Sequence, residues 1–102
     1  MLVEFSLYPL DKGESVGQYV ARSLDIVDRS GLPYKVHAMG TVLEGEWDEC
    51  FRVIKECFDT MRKECGRVEL AIKIDDRAGV RHALEEKVSS VEHRLGRVLH
   101  HA

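Results

Sequence analysis

Tyr34-Lys35-Val36-His37-Ala38-Met39-Gly40-Thr41-Val42-Leu43-Glu44 is the stretch on which the reading of the chain turns. Two short runs of alternating residues flank a tight break, the pattern of two antiparallel strands joined by a hairpin. With Met39-Gly40 as the turn, Ala38 faces Thr41 and Val36 meets Leu43 on the core side, while Lys35 and His37 oppose Glu44 and Val42 on the other. To either side the apolar period changes from two to that of a helix. Upstream, Ser15 and Gln18 have the spacing of a capping box, and Val16, Tyr19, Val20, Leu24 and Val27 share one helical face until Gly31 and Pro33 end it. Downstream, a helix begins near Glu46, where Asp48 and Glu49 suit the positive end of its dipole. Its buried stripe is Cys50, Val53, Ile54, Cys57, Phe58, Met61 and Cys65, closed by Gly66.

The outer segments complete the pattern. Leu2 to Tyr8 alternates, with Val3, Phe5 and Leu7 inward and Glu4, Ser6 and Tyr8 outward; Arg67 to Asp75 does the same, with Val68, Leu70, Ile72 and Ile74 inward. A third helix is expected from about Asp76 to Gly96 on the stripe Val80, Leu84, Val88, Val91 and Leu95, followed by a frayed tail, His100-His101-Ala102. The order is βαββαβ plus a C-terminal helix, which reads as a ferredoxin-like α+β sandwich: a four-stranded antiparallel sheet in the order 4-1-3-2 with two helices on one face. The first and third strands are then central. Glu4, Ser6, Tyr8, Val42 and Glu44 share the face that the first two helices leave open, and self-association is expected of a sheet so exposed.

Composition narrows the function. The 102 residues are 44% hydrophobic, enough for one compact domain over residues 1–102. With 15 basic against 18 acidic residues the net charge is −3, which gives nucleic acid or an anionic membrane no electrostatic footprint. No signal peptide or spanning segment is visible, and three cysteines, an odd number, read as reduced thiols; a cytoplasmic protein is expected. RNA-binding members of this fold stack bases on aromatic residues of the central strands, whereas Thr41-Val42-Leu43-Glu44 offers none. Metal chaperones need two cysteines in the first loop, and Pro9 to Glu14 has none. No phosphate loop, nucleophile elbow or His-Glu-x-x-His site occurs. Cys50, Cys57 and Cys65 follow one helix stripe, so core packing is the simpler role. His82 and Glu86, and His93, read as solvated helix surface. No catalytic group, metal site or cofactor is expected.

The open face is harder to dismiss. Carboxylates there need partners, which Lys35 and Lys73 can supply structurally. The functional alternative is a small cationic, hydrogen-bonding ligand: Glu4 and Glu44 for charge, Tyr8 or Trp47 for stacking, and Ser6, His37 or Thr41 for orientation. Tyr8 and Thr41 lie toward the hairpin end and Glu44 and Trp47 toward the opposite end, so these residues form an envelope rather than one constellation.

Three motifs, Glu4-Phe5-Ser6-Leu7-Tyr8-Pro9-Leu10, Met39-Gly40-Thr41-Val42-Leu43-Glu44-Gly45-Glu46-Trp47 and Lys87-Val88-Ser89-Ser90-Val91-Glu92, resemble the YkoF-type thiamine-binding protein family over nearly the whole chain. The middle motif is the most specific. The resemblance implies a ferredoxin-like subunit assembled through its sheets into dimers or tetramers, which binds thiamine or its hydroxymethylpyrimidine portion without catalysis and serves thiamine handling in the cytosol. A cationic thiazolium and a flat aminopyrimidine fit carboxylate, hydroxyl and aromatic groups, and Glu44→Ala is expected to abolish binding. The alternatives from other classes are an oligomeric regulatory or scaffold protein whose open face only joins subunits, and a small metal-dependent or thiol enzyme.

Overall fold

In the computed structural model, which describes residues 1–80 and 83–99, the elements follow in the order β1 (Leu2–Pro9), α1 (Gly17–Arg29), β2 (Tyr34–His37), β3 (Gly40–Glu44), α2 (Trp47–Arg62), β4 (Val68–Asp75) and α3 (Ala83–Leu95). The strands form one antiparallel sheet ordered β2-β3-β1-β4, the expected ferredoxin-like topology. Alternation fixes the faces. Val3, Phe5, Leu7 and Leu43 are buried beneath α1 and α2, which contribute Ile26 and Val27, and Cys50, Val53, Ile54, Cys57 and Met61. Cys65, just beyond α2, joins the same core. Tyr34 ties β2 to the end of α1 by donating its hydroxyl hydrogen to Asp28 at 2.6 Å, and Arg22 of α1 pairs with Glu64 in the turn that follows α2.

Three details of the turns and caps depart from the sequence reading. The hairpin turn is Ala38-Met39, with His37 opposite Gly40, Val36 opposite Thr41 and Lys35 opposite Val42. Gly40 serves a close approach instead: a Cβ there would stand 2.8 Å from the Phe5 carbonyl oxygen. At α1, the Ser15–Gln18 capping box does not form; Val16 is the N-cap and supplies no side-chain bond. The capping box lies at α2, where Glu49 Oε1 accepts the Glu46 N–H at 2.9 Å. Asp76 does not start α3. The Val80 N–H donates to the Arg77 carbonyl at 3.1 Å, closing a turn that holds Gly79 at φ +79°, outside the helical region. The helix therefore starts later, and Val80 precedes it.

Burial also differs at the margins. Ile26 and Ser23 are buried on α1, whereas Val16, Tyr19, Val20 and Leu24 are only half-buried, because the upper part of that helix overhangs a region that β3 does not reach. Ile72 and Ile74 remain 39% and 38% exposed on edge strand β4, where only Val68 and Leu70 pack on the core. Across the open face α3 is fastened at its start: Glu44 Oε2 accepts the Leu84 N–H at 3.4 Å, Lys35 lies 3.7 Å from Glu85, and Lys87 pairs with Asp75. His82 and the tail 100–102 lie outside the described residues.

Candidate functional site

A difference in strand length creates the site. β1 pairs with β4 as far as Pro9, but its pairing with β3 stops at Phe5 opposite Thr41, and the hairpin turns back just beyond. The space that a longer hairpin would occupy is a recess of about 440 Å³, floored by α1 and walled by β1 and the β2–β3 turn. Its lining joins Ser6, Tyr8, His37 and Thr41 to Phe5, Leu7, Val20, Ser23, Leu24, Val36, Ala38, Met39 and Gly40. Mostly apolar walls with a few hydroxyls and one imidazole, in a volume within the roughly 300 to 1,000 Å³ of ligand pockets, suit a small flat molecule.

Two of the lining side chains are held from behind by carboxylates. The Met39 N–H donates to His37 Nδ1 at 3.2 Å, so the neutral ring carries its proton on Nε2, which lies 3.2 Å from Glu4 Oε2. One imidazole thus braces the turn and meets the carboxylate on the open face. The Tyr8 hydroxyl donates to Glu69 Oε2 at 2.9 Å across the β1–β4 ladder. That hydrogen bond, reinforced by the negative charge of Glu69, raises the phenol's pKa above its ordinary value. The expected lysine partners of Glu4 are not the ones used: Lys73 is its cross-strand neighbour without an ion pair among the described residues, and Lys35 turns to Glu85.

Of the seven residues singled out from the sequence, Ser6, Tyr8, His37 and Thr41 line this recess and Glu4 stands behind His37. Thr41 is buried on the helix side of the sheet, level with Phe5, and reaches the recess from beneath. Glu44 and Trp47 lie elsewhere. Glu44 is at the far end of β3 beside a second cavity of about 490 Å³ that runs along α3 past Leu2, Asp75, Arg77, Lys87 and Arg94. Trp47 belongs to α2 in the other layer, where it stacks on Phe51 with ring centroids 4.5 Å apart. Ser23, Leu24 and Glu69 were not singled out. A small polar residue inside the α1 stripe was the signal for Ser23, whereas Glu69 needs the β1–β4 register, which no local pattern supplies.

Among the described residues no group of three or more His, Cys, Asp or Glu side chains converges as metal ligands, and no helix is long and apolar enough to cross a membrane. The three cysteines are buried and unpaired, and burial pushes the Cys57 thiol up to about 11.

Fold and recess together define the class: a ferredoxin-like α+β protein with a cavity of small-molecule size at the shortened side of its central strand. The chain belongs to the thiamine-binding protein family, whose model matches residues 3–92. It is 41% identical over 96 residues to a UPF0045 protein of Mycobacterium tuberculosis, covering 93% of this chain and 94% of that one. A hypothetical protein of Methanocaldococcus jannaschii has a solved structure similar at a TM-score of 0.82 with 36% identity, over 88% of this chain and 93% of that one. The solved structure of a Thermotoga maritima protein proposed for thiamine biosynthesis or salvage is similar at a TM-score of 0.76 with 25% identity, over 88% and 96% of the respective chains. These relationships support a general thiamine-related role, and the family is named for binding rather than for a reaction.

Proposed function

We propose that the protein binds thiamine or its hydroxymethylpyrimidine portion, without catalysis, in the recess beside the outer half of β1. The observation that carries this reading is the convergence of Ser6, Tyr8, His37 and Thr41 on one cavity, with Glu4 3.2 Å behind His37. An aminopyrimidine has donors and acceptors in its plane for the two hydroxyls and the imidazole, and an aromatic face for Tyr8. The thiazolium is a permanent cation, and Glu4 and Glu69 supply negative charge behind the walls. Glu44, fixed to the start of α3, serves as an anchor for that helix rather than as a ligand contact.

Isothermal titration with thiamine and with hydroxymethylpyrimidine tests the reading. Saturable binding with a Kd in the micromolar range or below, about −8 kcal/mol or stronger, is expected. Ser6→Ala and Tyr8→Ala should each weaken it by about 1 to 3 kcal/mol, the loss of one buried hydrogen bond or one stacking face. Glu44→Ala should leave the affinity unchanged. Absence of heat with both compounds at two temperatures rejects the assignment, and loss of binding in Glu44→Ala with the other variants unaffected moves the ligand to the cavity along α3.

A further inference from the structure

We propose that Glu4 and Glu69, neither of which lines the recess, select for a positively charged, unphosphorylated ligand over the phosphorylated form of the same compound. This rests on the thiamine reading of the recess and adds the charge of the form admitted. Each carboxylate reaches the cavity through an aromatic side chain: Glu69 accepts the Tyr8 hydroxyl at 2.9 Å, and Glu4 lies 3.2 Å from His37 Nε2. One stands on β4 and one on β1, so the outer half of β1 is flanked by negative charge on the open face.

Apart from the His37 imidazole beside Glu4, no lining side chain can offset that charge. Among the described residues that line the recess there is no lysine or arginine. The first turn of α1, Gly17–Tyr19, is not part of the lining either, so the positive end of that helix does not meet the ligand. Of the neighbouring sheet cations, Lys35 is paired with Glu85, and Lys73, the cross-strand neighbour of Glu4, shares with it a depression of about 120 Å³ on the open face and does not line the recess. Phosphate recognition draws on a guanidinium, an ammonium or a helix N-terminus. A phosphoryl group placed here would lose its hydration, gain none of the three and be repelled by two carboxylates, whereas a thiazolium is attracted by both. Glu69 acts through Tyr8 and is a positioning residue: it holds the phenol in the recess wall and sets the charge behind it.

The test titrates the full chain with thiamine, thiamine monophosphate and neutral hydroxymethylpyrimidine. Thiamine is expected to bind about tenfold or more tightly than its monophosphate. In the double variant Glu4→Gln with Glu69→Gln, which keeps side-chain size, that gap should shrink at least threefold, and the Tyr8 ultraviolet titration should move down toward an ordinary phenol. Equal binding of thiamine and its monophosphate by the unmodified chain overturns the selectivity and leaves the binding reading standing. An unchanged gap in a double variant that still binds hydroxymethylpyrimidine overturns the assignment to these carboxylates. If the double variant does not fold, as judged by circular dichroism, the single variant Glu69→Gln is read by the same criteria. Absence of binding by thiamine and hydroxymethylpyrimidine alike rejects both readings.

Discussion

Cys57 lies at the centre of the α1–α2 contact, fully buried, with its Sγ 3.5 Å from the Ser23 carbonyl oxygen. Desolvation disfavours its thiolate and lifts the pKa to about 11 from an ordinary 9.0. The folded state therefore keeps a proton that the unfolded state releases first. The resulting stability is fully present below the unfolded value and is lost as pH rises toward the folded one. Urea denaturation should show stability falling between these two values by an amount on the order of 2 kcal/mol from this thiol. Cys57→Ala should flatten that alkaline slope while lowering stability at neutral pH, where it leaves a cavity. An identical slope in the variant would assign the alkaline loss to other groups, among them Tyr8 and Tyr34, whose pKa values are also raised, chiefly by hydrogen bonds to Glu69 and Asp28.

At the scale of elements, α3 depends on polar fastening more than on burial. Its start is held by Glu44 at the Leu84 N–H, and the Lys87–Asp75 pair holds its second turn. The hydrogen bond from Lys87 and its positive charge keep the Asp75 carboxyl below the usual range. The contribution of that pair is thus present above the ordinary carboxylate pKa and is lost on acidification through the depressed one. Glu44→Ala should accelerate amide exchange along Ala83–Leu95 at neutral pH and leave α2 protected; uniform protection in the variant would show that α3 is held by something else. The elements also show what the sequence could reveal. The alternation of β1 and β3 and the α2 stripe were legible because burial there follows period alone. The start of α3 was not, since Asp76 followed by an apolar repeat looks like a cap until Gly79 takes a positive φ. Nor was the hairpin turn, because the reason for Gly40 lies in the Phe5 carbonyl beside it, far away in sequence. Half of the site shared this fate: Tyr8 and His37 stood out as polar rings on a strand, but that they line one recess depends on where the pairing of β1 with β3 ends.

For the molecule as a whole, the described surface carries two exposed apolar stripes besides single exposed side chains such as Met39, Trp47 and Val98. Ile72 and Ile74 sit along edge strand β4, and Val91 and Leu95, about half exposed, run along the outer part of α3. Exposed stripes of this kind favour association between copies. Sedimentation velocity should show a species larger than one chain, and Val91→Glu combined with Leu95→Glu should shift it toward the single chain without altering the circular dichroism. A monomer at all concentrations would remove subunit joining from the account and leave the recess as the principal feature of the surface.

The shortness of β3 carries its own implication. The outer residues of β1 have a strand on one flank and, on the other, only the recess. In the proposed binding mode the ligand stands where the ladder would otherwise continue, and the hairpin's length sets how much room it has. Adding a pair of residues on each side of Ala38-Met39 would let the chain heal its own sheet and displace any guest, so the loop length acts as a gauge of ligand size, adjustable by insertion or deletion while the buried core stays untouched.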